Sequence, residues 1–140
     1  MMGLLYRAAD ALRRRSSGDG AARSQAQGRM GEDVAHRYLR GRGCTVVARN
    51  YRMRSGAGEI DLVVWHGKTL VFVEVKTRSS AEFGEPERAV DPEKQQKVVR
   101  AGRDYARRAG VEWDQTRFDI VSVVAERTRV RIEWIRDAFR

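Results

Sequence analysis

Residues 58–65 (GEIDLVVW) and residues 70–77 (LVFVEVKT) are two largely apolar stretches separated by a short polar segment. Both are rich in β-branched and aromatic residues, which favour strands, and the intervening His66, Gly67 and Lys68 favour a turn. The pattern therefore predicts a β-hairpin at the centre of the fold.

The hairpin brings acidic side chains together. Because side chains alternate between the faces of a strand, Glu59 and Asp61 share one face of the first strand, and Glu74 and Lys76 share one face of the second. If residues 67–68 are the loop, Asp61 lies opposite Glu74, and Glu59 lies opposite Lys76. Two facing carboxylates on an apolar strand repel each other, because little water is present to solvate them.

Several arrangements would relieve this repulsion. A divalent cation held between the carboxylates would do so, with Lys76 adding positive charge. Alternatively, one carboxyl is protonated, or both reach solvent at the strand end. A solvated polar strand edge needs no special chemistry, so the residues alone leave metal binding and solvation open.

The chain is strongly basic. It has 140 residues, with 28 Lys and Arg against 19 Asp and Glu, and a formal net charge of +9. This length suits one domain with a buried core. The excess of arginine favours a polyanionic partner, and nucleic acid is the first candidate, although solubility alone would account for the same charge.

Cysteine content and hydropathy indicate the compartment. Cys44 is the only cysteine, which excludes an intrachain disulfide and a cysteine-rich zinc site and fits a reducing environment. The sequence has no apolar run near the ~18 residues of a membrane span, and residues 1–12 lack a secretory profile. We therefore expect a cytoplasmic protein with no membrane span.

The N-terminal part divides at about residue 28. Residues 1–27 are basic and include a turn-forming stretch, which predicts a loosely ordered arm or a short helix. Residues 28–42 have apolar side chains at helical spacing, so we predict the first helix of a domain spanning residues 28–140. Glu32 lies at the margin of the apolar stripe, where it either reaches inward or simply favours the helix dipole.

Basic residues precede the hairpin. Residues 44–50 are predicted to form a strand, and residues 51–57 a glycine-containing connection. Arg49, Arg52 and Arg54 lie close to the carboxylates in sequence, where they could hold a phosphate backbone or form a solvated loop.

A polar loop from Arg78 to Asp91 follows the hairpin and is long enough to act as a substrate flap. Asp91 is predicted to be the N-cap of a second helix, with Pro92 in its first position and Gly110 at its end.

The second helix has two contrasting faces. Gln95 aligns with the inner stripe near the helix start, so its amide could point toward a phosphate or a metal-coordinated water, or serve as a cap. The outer face is basic and carries Lys97, Arg100, Arg103, Arg107 and Arg108.

Two further strands are predicted at residues 118–124 and 130–135, with Asp119 as a partner for Arg117. The element order is therefore α-β-β-β-α-β-β. This order predicts an α/β domain, with a mixed sheet covered by helices.

These motifs together resemble the YraN-like family of bacterial predicted endonucleases, whose fold is restriction-endonuclease-like and similar to archaeal Holliday-junction resolvases. The resemblance covers about residues 28–140, and one departure is Ile60, where the wider nuclease motif has a proline. The matching segments are Glu32, residues 58–63 (GEIDLV), 71–78 (VFVEVKTR), 94–97 (KQQK), 117–121 (RFDIV) and 132–139 (IEWIRDAF).

The resemblance implies a metal-dependent nuclease site. In such a site Asp61 and Glu74 bind Mg²⁺ or Mn²⁺, and the backbone carbonyl of Val75 could add a ligand. Lys76 would orient or help to deprotonate the attacking water. Glu32 would match the acid on the first helix of resolvase-like enzymes, which binds the metal directly or through a water. Gln95 would match the polar residue that their second helix turns toward the site.

Two functions follow as hypotheses. The first is a Mg²⁺-dependent DNA endonuclease that acts on branched or structured DNA and needs no small-molecule cofactor. Resolvase-like folds often pair, so a homodimer is one expected assembly. The second is a non-catalytic nucleic-acid-binding protein with a nuclease-like fold. In either case the expected nucleic-acid contacts are Arg49, Arg52, Arg54, Arg78, Lys97 and Arg100.

Overall fold

Residues 20–79 and 90–140, which the computed structural model describes, contain two long helices and five strands in the order α-β-β-β-α-β-β. This order confirms the predicted α/β fold and agrees with a nuclease-like arrangement. The helices are α1 (Gly20–Gly41) and α2 (Pro92–Ala109), and a short 3₁₀ turn (Trp113–Gln115) follows α2. The strands are β1 (Thr45–Arg52), β2 (Glu59–His66), β3 (Thr69–Ser79), β4 (Thr116–Ala125) and β5 (Val130–Phe139).

The strands form one mixed sheet in the order β1-β2-β3-β4-β5. Strands β3 and β4 are parallel, because the chain crosses over through α2 between them, and the other neighbours are antiparallel. The predicted hairpin is confirmed, since His66 pairs with Thr69 and residues 67–68 form the loop. Gly67 has a φ of 61°, a left-handed conformation that glycine adopts at little cost.

Alternate residues of β2 and β3 pack under different helices, so each face of the sheet has its own core. Strand β3 is buried on both faces, which explains its nearly continuous apolar sequence, and Glu74 is the acidic exception within it. The core under α1 contains Val34, Ala35, Leu39, Leu62, Val64, Val71, Val73 and Val75. The core under α2 contains Ile60, Val63, Leu70, Phe72, Val98, Ala101, Ala106, Phe118 and Ile120.

Helix α1 begins at Gly20, so the expected start at Gly28 was wrong. The segment before Gly28 is rich in alanine, a strong helix former, and Ala26 is buried. Residues 1–19 of the predicted arm and residues 80–89 of the predicted flap lie outside the described residues. Neither described helix is long and apolar enough to cross a membrane.

The predicted ends of α2 are confirmed. The Asp91 carboxylate accepts a hydrogen bond from the backbone N–H of Lys94 at 2.8 Å, and Pro92 occupies the first turn. Gly110 caps the C-terminal end with a φ of 70°. These caps satisfy backbone groups at both ends of α2, so local sequence signals determine where this helix begins and ends.

Strand β5 continues past its predicted end at Ile135 to Phe139. The reason is a tertiary contact, because the fully buried Asp119 accepts a hydrogen bond from the backbone N–H of Asp137 at 2.9 Å. Asp119 also pairs with Arg117 Nε at 2.8 Å, which confirms the predicted partnership. The buried carboxylate thus holds a polar stretch of chain in the sheet.

Gly58 lies where the chain entering β2 touches the backbone of α2. A Cβ atom at Gly58 would lie 2.2 Å from the carbonyl oxygen of Lys97. Because a helix backbone yields less than a side chain, we expect Gly58→Ala to lower the free energy of unfolding by roughly 2 kcal/mol. Gly28→Ala is the control, since nothing lies within 4 Å of its added methyl. Equal urea midpoints for the two variants would contradict this packing.

Candidate functional site

The two predicted acids meet where β2 separates from β3. The pairing of these strands ends at Leu62 and Val73, and the same register places Asp61 opposite Glu74. Asp61 Oδ2 accepts a hydrogen bond from the backbone N–H of Val75 at 2.8 Å. A side-chain carboxylate therefore satisfies a strand N–H, and this bond holds Asp61 against β3.

Glu74 is the more buried acid, with 4 % of its surface exposed. Its Oε1 lies 3.8 Å from Lys94 Nζ, and its Oε2 has no hydrogen-bond partner among the described residues. Burial raises the pKa of Glu74 to about 8, and the negative charge of Asp61 adds to the rise. A buried carboxylate oxygen without a partner favours the uptake of a proton or a cation.

Asp61 is the second acid of the site whose pKa is raised. Burial raises the pKa of the Asp61 carboxyl, while the hydrogen bond from Val75 and the ammonium of Lys94 oppose the rise. Two interacting carboxyls in one partly buried site titrate together, so a proton or a cation bound between them relieves both.

Lys94 is the residue of this site that the sequence analysis missed. Its Nζ lies 3.6 Å from Glu59 Oε1 as well as 3.8 Å from Glu74 Oε1. Burial lowers the pKa of Lys94, but the charges of Glu74, Glu59 and Asp61 outweigh burial and raise it. The signal was present in the sequence, because Lys94 precedes the buried Val98 by one helical turn and so lies on the same face of α2.

Lys76 lies near both acids. Its positive charge opposes the rise in the pKa of Asp61 and of Glu74. In the parallel ladder Lys76 is the register partner of Ser122, whose buried hydroxyl has no hydrogen-bond partner among the described residues. Lys76 itself is partly exposed, and its charge acts on both acids without an ion pair to either one within 4.0 Å among the described residues.

Glu32 approaches from α1 but stands at the margin of the site. Burial raises the pKa of the Glu32 carboxyl, and Asp61 adds to the rise, whereas Asn50 and Arg49 lower it. Within residues 20–79 and 90–140, no three His, Cys, Asp or Glu side chains are grouped closely enough to hold a metal ion. The structure therefore brings Asp61 and Glu74 together and leaves Glu32 as a neighbour.

Gln95 is placed at the start of α2. Its Nε2 donates a hydrogen bond to the carbonyl of Val90 at 3.0 Å, so the amide is tied to the backbone just before the helix, while Asp91 is the residue that caps the first turn. It also lines an open cavity of about 380 Å³. The other lining residues are Pro92, Gln96, Val99, Arg100 and Arg140.

The residues predicted to contact nucleic acid differ in their exposure to solvent and in their ion pairs. Arg52 (76 % of its side chain exposed), Lys97 (52 %), Arg54 and Arg100 reach solvent, although Arg52 also pairs with Glu59 at 3.2 Å. Arg49 is engaged with Asp33 at 2.8 Å. Arg78 is partly buried, and its Nε has no hydrogen-bond partner among the described residues.

The raised pKa of Glu74 predicts a pH-dependent stability. The folded protein binds this proton more tightly than the unfolded chain, so the contribution is present below pH 4.5 and is lost as the pH rises to about 8. Near pH 8, Glu74→Gln should therefore unfold with a free energy roughly 2–4 kcal/mol above wild type, and near pH 5 the difference should be small.

Urea unfolding at both pH values measures this effect. Glu93→Gln, at a side chain that is 83 % exposed, is the control and should follow wild type. A Glu74→Gln protein that loses stability with rising pH as wild type does would contradict the assignment of the raised pKa to Glu74.

The similarity of this chain to known proteins extends over the residues of this site. A family model described as "Uncharacterised protein family UPF0102" matches residues 31–123, which include both acids and both lysines of the site. A UPF0102 protein of Solibacter usitatus is 61 % identical over 139 residues, spanning 99 % of this chain and 100 % of its own. UPF0102 proteins of Desulforapulum autotrophicum and Geobacter sulfurreducens are 44 % and 40 % identical, over 83 % and 87 % of this chain and 94 % of each of theirs.

Proposed function

Since this chain belongs to the uncharacterised protein family UPF0102, whose name states no activity, we propose from its site that it is a Mg²⁺- or Mn²⁺-dependent endonuclease. Its substrate would be branched or otherwise structured DNA, as the resemblance to Holliday-junction resolvases implies. The observation that carries the proposal is the buried Glu74 carboxylate, which interacts with Asp61 and has an Oε2 atom without a partner in the described residues.

The residues present fit a hard divalent cation. Asp61, Glu74 and the backbone carbonyl of Val75 offer only oxygen ligands, which Mg²⁺ and Mn²⁺ prefer. Two carboxylates also balance the charge of such an ion. Because Mg²⁺ usually keeps several waters and binds substrate phosphate, two protein carboxylates are a sufficient set.

The chain's own groups supply the remaining requirements of phosphodiester hydrolysis. A bound cation would neutralise phosphate charge and make water more nucleophilic. Lys76 would orient the attacking water and stabilise negative charge that develops on the phosphate. The hydrogen bond from Val75 fixes the orientation of Asp61, so this carboxylate is ordered before substrate arrives.

Exposed arginines near the acids would bind the DNA backbone. Affinity should be independent of sequence and should fall with salt, each phosphate contact contributing roughly −0.9 to the slope of log K against log salt concentration. We expect the double substitution of Arg52 and Arg54 by Glu to weaken binding to every duplex tested. The double substitution by Glu of Arg40 and Arg42, exposed residues at the C-terminal end of α1, changes the net charge equally; it is the control and should weaken binding less. Fluorescence anisotropy with no salt dependence would contradict this prediction.

Purified protein incubated with duplex, single-stranded, flapped and four-way DNA, with Mg²⁺, Mn²⁺ or chelator, tests the proposed function. We expect metal-dependent cleavage that is strongest on the branched substrates. Intact substrates in every metal-containing reaction would contradict the endonuclease proposal.

A second candidate function is DNA binding without cleavage. The observation that favours it is the contact of Lys94 with Glu74 and Glu59, because an ammonium partly neutralises the acids without a metal. In that case binding would be salt-dependent but indifferent to chelator. The same incubation would leave every substrate intact, so its cleavage readout separates the two candidates.

A further inference from the structure

The ammonium of Lys94 lies beside two acids of the site, Glu59 and Glu74. Its Nζ is 3.8 Å from Glu74 Oε1 and 3.6 Å from Glu59 Oε1, and 30 % of its side chain is exposed. Both distances are long for a hydrogen-bonded ion pair, for which N–O separations are typically 2.7–2.9 Å. The ammonium therefore stabilises the acids by its charge without a short bond to either.

An ammonium and a divalent cation attracted to the same carboxylate compete, because each raises the electrostatic potential that the other meets. We propose that Lys94 is an exchangeable counter-ion of the acid cluster Glu59, Asp61 and Glu74, which balances the cluster's negative charge when the site holds no metal and contacts a DNA phosphate once a divalent cation has replaced it. This inference rests on the proposed metal site and adds a residue that couples metal loading to substrate binding.

The location of Lys94 makes the exchange feasible. Its backbone is fixed, since its N–H is bonded to the N-cap Asp91 at 2.8 Å, while its side chain is long and partly exposed. The neighbouring exposed Lys97 is on the same helix and pairs at 4.0 Å with Glu93. An ammonium released from Glu74 would thus join a basic helix surface that already carries exposed cations.

Calorimetric titration with Mn²⁺ tests the competition. Lys94→Gln keeps the backbone N–H that Asp91 caps, and we expect it to bind Mn²⁺ about tenfold more tightly than wild type, because a repelling charge is gone. Lys94→Arg retains the charge and should bind as wild type does. Lys68→Gln, at an exposed position in the hairpin loop, removes the same charge away from the acids; it is the control and should leave Mn²⁺ affinity unchanged.

A second readout follows the released ammonium. Binding of duplex DNA is measured with Ca²⁺, another cation that prefers oxygen ligands, and with chelator. Lys94→Gln should weaken DNA binding several-fold with Ca²⁺ and little with chelator, whereas Lys97→Gln should weaken it equally in both.

Each outcome is decisive. If wild type binds Mn²⁺ and Lys94→Gln binds it equally or less tightly, the counter-ion role is overturned while the metal site stands. If DNA binding by Lys94→Gln does not depend on the cation, the transfer to phosphate is overturned. If wild type binds no Mn²⁺, the proposed metal site fails and this inference fails with it.

Discussion

Asp61→Asn should lower the rate of DNA cleavage by about a thousandfold or more, because it removes a charged ligand of the proposed cation. DNA affinity should hold or rise in the same variant, since a negative charge is lost from a chain with a net charge of +9. Glu74→Gln should behave alike. Single-turnover cleavage and anisotropy measured on the same preparations separate chemistry from binding.

Lys76→Ala should affect cleavage without the loss of metal binding that we expect from Asp61→Asn and Glu74→Gln. Its ammonium is not a ligand in the proposed site, so metal binding should persist while the cleavage rate falls. Lys68→Ala, at an exposed position in the hairpin loop, is the control and should cleave as wild type does. Retention of wild-type cleavage by Asp61→Asn would contradict the role of the acid pair in catalysis.

Asp119→Asn should cause the largest loss of stability that we expect from a single isosteric substitution. Both oxygens of Asp119 are used, by Arg117 at 2.8 and 2.9 Å, by Trp134 Nε1 at 2.8 Å and by the N–H of Asp137 at 2.9 Å. The variant leaves the largely buried Arg117 guanidinium without its counter-charge. Removal of one partner of a buried pair costs about 3–5 kcal/mol.

Thermal unfolding measures this loss, and we expect a fall in Tm of about 10 °C or more. Asp114→Asn, at an exposed position of the 3₁₀ turn, makes the same chemical change and should leave Tm nearly unchanged. Similar Tm values for the two variants would show that the network around Asp119 contributes little to stability.

Local rules were sufficient to predict the centre of the fold. The two-residue loop, the alternation of side chains and the apolar runs together fixed the register that places Asp61 opposite Glu74. The ends of α2 were also predictable, because Asp91, Pro92 and Gly110 act within one turn of the helix. These features depend on neighbours in sequence, which periodicity and capping describe well.

Features that depend on distant contacts were harder to predict. The end of β5 is set by Asp119, which is remote in sequence from Asp137. Gln95 was predicted to be an inner-stripe residue with a capping alternative, and only the fold shows its amide on the carbonyl of Val90. The sequence analysis assigned Lys94 no role in the site, and its contact with Glu74 depends on the packing of α2 on the sheet.

Thermal stability titrated with Mn²⁺, for wild type and Asp61→Asn side by side, tests most directly whether the acid pair holds a cation. A ligand that binds only the folded state raises Tm with its concentration. We predict a concentration-dependent rise in Tm for wild type and none for Asp61→Asn. The absence of a rise in wild type, or an equal rise in both proteins, would contradict a divalent cation at Asp61 and Glu74.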